Sequence, residues 1–149
     1  MYKIIIDTNL WISYLLGKKL IKLKDLFLNE KVSVITCQEL IEEFVDVSSR
    51  NYITKYVEKK NILETLDLMK EFSVQVQLEN IMLPELNDLD DLFLFALSSA
   101  VKADFILTGD KGLLALKKYK RTEIISYSDF IPRLEFAKAT GSFRKCLQA

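Results

Sequence analysis

Three consecutive isoleucines, Ile4-Ile5-Ile6, followed at once by Asp7-Thr8-Asn9, constrain this chain more than any other stretch of it. Side chains alternate between the two faces of a strand, so an unbroken β-branched run buries both faces together, the condition of a central strand in a parallel sheet. The run then stops in a carboxylate. Two readings of Asp7 stand open here: an N-terminal cap, since Asp and Asn satisfy orphan N–H groups where a strand gives way to a helix, or a metal ligand.

The remaining pattern extends the first strand into a fold class. Lys3–Ile6, Val32–Ile35, Phe105–Leu107 and Glu123–Ser126 read as short apolar strands, and Val74–Val76 as an added edge strand. Apolar spacing of three and four predicts helices over Leu10–Leu16, Leu20–Leu28, Gln38–Val47, Ile53–Phe72, Leu89–Val101 and Leu113–Tyr119. Strands alternating with helices predict an α/β protein, a three-layer α/β/α arrangement around a mainly parallel central sheet of four to five strands. A chain of 149 residues is the size of one domain. It is expected to occupy residues 1–133, with 134–149 as a C-terminal helix and tail.

Composition removes whole classes of chemistry. The chain has no histidine, so Ser-His-Asp triads, Cys-His dyads and imidazole zinc sites are excluded together. Cys37 and Cys146 lie far apart without metal-type spacing and read as small apolar side chains of a reducing cytosol. No apolar run approaches the ~18 to 20 residues of a membrane span, and Met1-Tyr2-Lys3 leaves no room for a signal peptide before the first strand. A soluble, cytoplasmic protein is expected. Net charge is zero but unevenly spread: Glu79 to Asp110 carries seven acids against Lys102, and Lys111 to Lys145 nine bases against three acids. Such blocks are read either as solvated faces or as an acidic pocket beside a basic rim suited to a polyanion.

Four acids stand where a doubly wound sheet gathers ligands, outside the carboxyl ends of its strands. Asp7 follows the first strand. Asp110 follows Phe105–Leu107 through Thr108-Gly109, a glycine expected to let the backbone turn tightly. In the run NDLDDLFLFALSSA, residues 92–97 are apolar on every side and predict a helix buried all round, with Asp91 on its first turn. Taken singly, that acid is explained better by capping, with Asp88 three residues earlier, than by a site. In TCQELIEEFVDV, Leu40, Ile41, Phe44, Val45 and Val47 form an apolar face with Glu39 central on the polar face and Glu42 and Glu43 at its boundary. Only a boundary acid is expected to reach a neighbouring cleft, and periodicity does not choose between Glu42 and Glu43. Clustered carboxylates repel unless a cation neutralises them, and oxygen-only ligands favour Mg²⁺ or Mn²⁺.

The strand ending in Asp-Thr-Asn, the CQELIEEF helix, and DLDDLFLFALSSAVKADFILTGDKGLL with its Thr-Gly-Asp resemble the PIN-domain ribonucleases. The likeness is to the stand-alone prokaryotic, VapC-like toxins of toxin-antitoxin pairs, and runs from about Tyr2 to Ile131. It implies a PIN-like fold whose acidic quartet, Asp7, Glu43, Asp91 and Asp110, binds one or two Mg²⁺ or Mn²⁺ and hydrolyses single-stranded RNA to 5′-phosphate and 3′-hydroxyl ends. Asn9 and Thr108 take supporting positions, and Glu42, Asp88 and Asp90 are substitutes for their neighbours. Lys117, Lys118, Lys120 and Arg121, from the basic block, are expected to contact RNA phosphates. The implied partners are single-stranded RNA, a cognate antitoxin and a second copy of the chain, with no membrane. The alternative is a catalytically silent PIN fold that binds RNA or protein. A haloacid-dehalogenase-type phosphatase also begins with a strand ending in Asp but needs a second Asp two residues on, where this chain has Asn9.

Overall fold

A computed structural model describes residues 1–78 and 91–135. Asp88, Asp90, Cys146 and the tail past residue 135 lie outside the described residues, as does most of the acidic segment before Asp91. The chain runs β1 (Tyr2–Ile6), α1 (Thr8–Leu16), α2 (Leu20–Leu28), β2 (Val32–Thr36), α3 (Gln38–Ser48), α4 (Asn51–Thr54), α5 (Lys59–Phe72), β3 (Val74–Gln75), α6 (Leu92–Val101), β4 (Phe105–Leu107), α7 (Lys111–Leu116), β5 (Lys118–Tyr119) and β6 (Thr122–Ile125). Residues 127–135 are helical. The strands lie in the order β3-β2-β1-β4-β6-β5, parallel throughout except for the β5–β6 pair.

The isoleucine run does what its chemistry requires. Ile4 and Ile6 point into one core with Leu10, Trp11, Leu23, Phe44 and Met69, while Ile5 points into a second with Leu40, Leu94, Phe95, Leu97 and Leu113. The same period of two sorts Phe105 and Leu107 to the first core and Ile106 to the second. A three-layer α/β/α sandwich results, with α1, α2, α5 and residues 127–135 supplying the first core and α6 and α7 the second. Helix α3 contributes to both, Phe44 to one and Leu40 to the other. Among the described residues no helix is long and apolar enough to cross a membrane.

Several expectations need correction. The sheet has six strands, not four to five, because the helix expected over Leu113–Tyr119 stops at Leu116. Lys117 (φ 62°) and Lys120 (φ 51°) both turn left-handed, which folds Lys118–Tyr119 back against Thr122 and Glu123 as β5. The helix expected over Ile53–Phe72 is two, because Glu58 is extended (ψ 141°) and starts α5 afresh. Its neighbours Ile53 and Val57 are both buried, so the corner is pinned by packing without a glycine or proline to announce it. Val45, placed on the apolar face of α3, is 45% exposed. Helix α6 is not buried all round: Leu94 to Ser98 are buried, but Phe93 in the first turn is 40% exposed. Gly109 does not use a positive φ, and a side chain there would meet only Leu10 at ordinary contact distance.

Candidate functional site

The chain leaves β1 in one direction, through β2 to β3, and fills the other side of the sheet with β4, β6 and β5. The switch point therefore lies between β1 and β4, where an open parallel sheet leaves a crevice at its carboxyl edge. Register aligns the two strand ends there. Ile6 pairs with Leu107, and the Asp7 N–H donates to the Leu107 carbonyl (2.9 Å), so the next residues, Asp7 and Thr108, emerge side by side.

Their side chains are joined. The Thr108 hydroxyl donates to Asp7 Oδ2 (2.8 Å) and accepts from the Asp110 backbone N–H (3.0 Å), with Thr108 itself fully buried. Asp7 holds the N-cap position of α1 yet makes no side-chain capping bond. At 6% exposure its carboxyl is pushed above the usual carboxylate range, chiefly by burial. The Thr108 bond and the nearby N–H groups of Asn9 and Thr8 oppose the shift, and the negative charge of Asp110 adds to it. Asp110 is the residue that caps: its Oδ1 accepts from Gly112 N (2.7 Å) and Leu113 N (3.1 Å) at the start of α7. A Cβ at Gly112 would stand 3.1 Å from that oxygen, a tight contact that the Asp110 side chain would have to shift to relieve.

Asp7 opens onto a cleft of about 550 Å³ that it shares with Asn9, Glu39, Glu42, Glu43, Asp46, Val47, Arg50, Tyr52, Asp91 and Phe93. Asp7, Glu43 and Asp91 are thus brought to one cleft, while Asp110 adjoins Asp7 from outside its lining. Asp91 holds the N-cap position of α6 without a side-chain capping bond. Of the two α3 candidates, Glu43 is half-buried and its Oε2 accepts from the Thr8 hydroxyl (3.3 Å), while exposed Glu42 accepts from Gln38 (3.4 Å). The expectation that only a boundary acid reaches the cleft is too narrow: Glu39 and Asp46 line it as well. Glu39, Glu42, Glu43 and Asp46 fall at helical spacing on one face, a signal already present in the sequence. Arg50 donates to Asp46 (3.0 Å), and Asp46 first, then Tyr52, raise the pKa of its guanidinium.

Lys117, Lys118, Lys120 and Arg121 are exposed at the β5 edge, outside the cleft lining. Lys120 donates to Ser99 Oγ (3.2 Å) and sits 5.6 Å from the Tyr119 ring centre. Cys37 belongs to the second core, where burial pushes its thiol up to about 12.

The donor chemistry of the cleft fits a hard cation, since it offers carboxylates and an amide with no thiol or imidazole. Its spacing does not close on one: among the described residues no group of three or more Asp, Glu, Cys or His side chains stands close enough to hold a metal ion. No curated protein matches the chain in sequence. The PIN domain family model matches residues 3–112, a span that carries β1, α3, α6, β4 and every described carboxylate of the cleft. With that match over most of its length, on a mainly parallel sheet flanked by helices, the chain belongs to the PIN domain family.

Proposed function

We propose that this PIN domain acts on single-stranded RNA at the acidic cleft, as a Mg²⁺- or Mn²⁺-dependent endoribonuclease serving as the toxin of a toxin-antitoxin pair. The observation that carries the reading is Asp7, a carboxylate buried at the switch point, held by Thr108 and opening onto a cleft shared with Glu43 and Asp91. Asp7, Asp91, Asp110 and Glu43 would hold the cation. When bound, it would supply Lewis acidity that lowers the pKa of water and offsets charge on the scissile phosphate. Thr108 orients the Asp7 carboxylate, and the Thr8 hydroxyl does the same for Glu43. Asn9, on the cleft wall, supplies an amide able to donate to a phosphate oxygen or a carboxylate. Lys117, Lys118, Lys120 and Arg121 would engage phosphates farther along the strand. A cognate antitoxin and a second copy of the chain are the protein partners of this reading.

A second reading is a catalytically silent PIN fold that binds RNA or protein. The separation of the acids favours it, and on the described geometry alone it has the better support. Hydrolysis requires the carboxylates to draw together around a cation, which offsets the repulsion that holds them apart without one. One experiment separates the two. Labelled single-stranded RNA is incubated with wild type, Asp7→Asn and Asp110→Asn in Mn²⁺ and in EDTA. Cleavage by wild type in Mn²⁺ alone, abolished in both variants, supports the nuclease; binding without cleavage in either buffer establishes the silent module. Equal cleavage by all three proteins overturns the site.

A further inference from the structure

The cleft poses an electrostatic difficulty for the substrate proposed above. Six carboxylates line it among the described residues against one cation, Arg50, which is already paired with Asp46. Phosphates are repelled there, so binding within the cleft itself must draw on something other than charge. Many large apolar side chains of this chain are exposed singly, including Ile21, Leu28, Tyr56 and Phe72, and single exposed hydrophobes need no explanation. Two differ by position: of the exposed large hydrophobes among the described residues, only Tyr52 (54%) and Phe93 (40%) line the acidic cleft, and both are aromatic. They come from separate elements, Tyr52 from the single turn of α4 and Phe93 from the first turn of α6, a helix otherwise buried from Leu94 to Ser98. Among the described residues neither ring packs on another ring, and both are exposed where they line the cleft.

We propose that Tyr52 and Phe93 are the positioning residues for substrate, a stacking platform on which unpaired bases of a single-stranded RNA lie while its backbone crosses the cleft. The inference rests on the RNA reading above and deepens it. Stacking on an aromatic ring is indifferent to phosphate repulsion and tolerant of sequence, because every base has a π-face. It also selects for single strands, since bases in a duplex already stack on each other. Purines, with the larger face, gain more than pyrimidines.

The test reads rings and not charge. A short single-stranded oligoribonucleotide carrying 2-aminopurine, whose fluorescence is quenched on stacking, is titrated with wild type, Tyr52→Leu, Phe93→Leu and Tyr52→Phe, in EDTA and in Ca²⁺. An otherwise identical oligonucleotide with abasic sites is titrated with wild type. Each Leu variant is expected to weaken binding about 5- to 150-fold, the equivalent of ~1–3 kcal/mol for one stacked base, and to lose quenching. Tyr52→Phe keeps both, and the abasic strand binds wild type as poorly as the normal strand binds the Leu variants. Binding and quenching unchanged in the Leu variants, or an abasic strand bound as tightly as the normal one, overturns the platform and leaves the RNA reading intact. A wild type that binds the normal strand in neither buffer overturns the RNA reading and the platform with it. The abasic comparison needs no variant and so holds even if a substitution impairs folding.

Discussion

Thr108→Val removes one oxygen from the centre of the site and leaves its volume nearly unchanged. The hydroxyl donates to the Asp7 carboxylate at 2.8 Å and accepts from the Asp110 N–H at 3.0 Å, with no solvent exposure to replace either bond. A hydrogen bond to a charged group contributes ~1.5–3 kcal/mol, and a buried donor left orphaned costs ~1–3. The apolar methyl returns roughly 1 kcal/mol. The expected net loss is therefore about 2–5 kcal/mol at neutral pH in EDTA, which lowers Tm by roughly 4–20 °C in a chain of this size. Losing stability is not in itself diagnostic, so the assay is a double-mutant cycle in urea with Asp7→Asn. An Asn at that position keeps a neutral bond to the hydroxyl, worth about half the charged one, so Thr108→Val should cost roughly 1 kcal/mol less in that background. Additivity within about 0.5 kcal/mol, the ordinary tolerance for uncoupled sites, would show that the two side chains do not share a bond and would refute the bridge.

Other consequences follow from the same structure. Because burial raises the Asp7 pKa, the folded protein holds a proton the unfolded chain releases, and metal-free stability falls as pH climbs from the ordinary carboxylate range through the raised value. Asp7→Asn should then melt above wild type at pH 7 in EDTA, converge with it below about pH 4, and gain less from Mn²⁺. Wild type gains ~2.7 kcal/mol at 100 times Kd, and a variant that gains as much removes Asp7 from the cation site. Replacing Lys118 and Arg121 by Gln should weaken all single-stranded RNAs alike and flatten the log K against log salt slope by about 0.7 per contact; an unchanged slope returns these exposed residues to solvated surface. In a Cys146→Ser background, Cys37, buried with its thiol pushed up to about 12, should resist a maleimide until the protein is unfolded, and rapid native labelling would contradict its burial.

How far the fold was legible depends on whether local chemistry or distant packing set each element. Phe105–Leu107 and Leu20–Leu28 coincide with the observed β4 and α2 because a buried run and an amphipathic period are local properties. The break between α4 and α5 was not legible. It arises where Ile53 and Val57 enter a core built by β1, α1 and α2, and nothing within the segment interrupts a helical pattern. The β5 turn failed for a related reason: Lys117 and Lys120 adopt a conformation whose usual marker is glycine, so the sequence there reads as continued helix. Phe93 shows the limit of composition, for a run of apolar residues predicts burial on all sides without revealing that one end of the helix reaches a cleft.

Where the candidate acids stand along the sheet edge was legible in the sequence, but what each one bonds was not, and the two aspartates that follow strands show why. Asp7 and Asp110 carry the same sequence signal, an acid between a buried strand and a helix, which suits either a cap or a ligand. In the structure their bonding differs. Asp110 closes two bonds to the backbone of α7, a bond pattern fixed within four residues. Asp7 makes no side-chain capping bond to α1, and the register of β1 on β4 brings the Thr108 hydroxyl, 101 residues away, to 2.8 Å from its carboxylate, where it opposes the pKa shift more than the N–H groups of Asn9 and Thr8 do. A cap is a local event and can be predicted locally. A carboxylate bonded across the sheet is a tertiary event, decided by which strand lies alongside, and it leaves Asp7 buried, shifted and on the wall of a cleft with its charge only partly offset. Asp7 stands at a helix N-cap without a capping bond, and is for that reason the acid whose replacement most directly tests whether this PIN domain holds a cation.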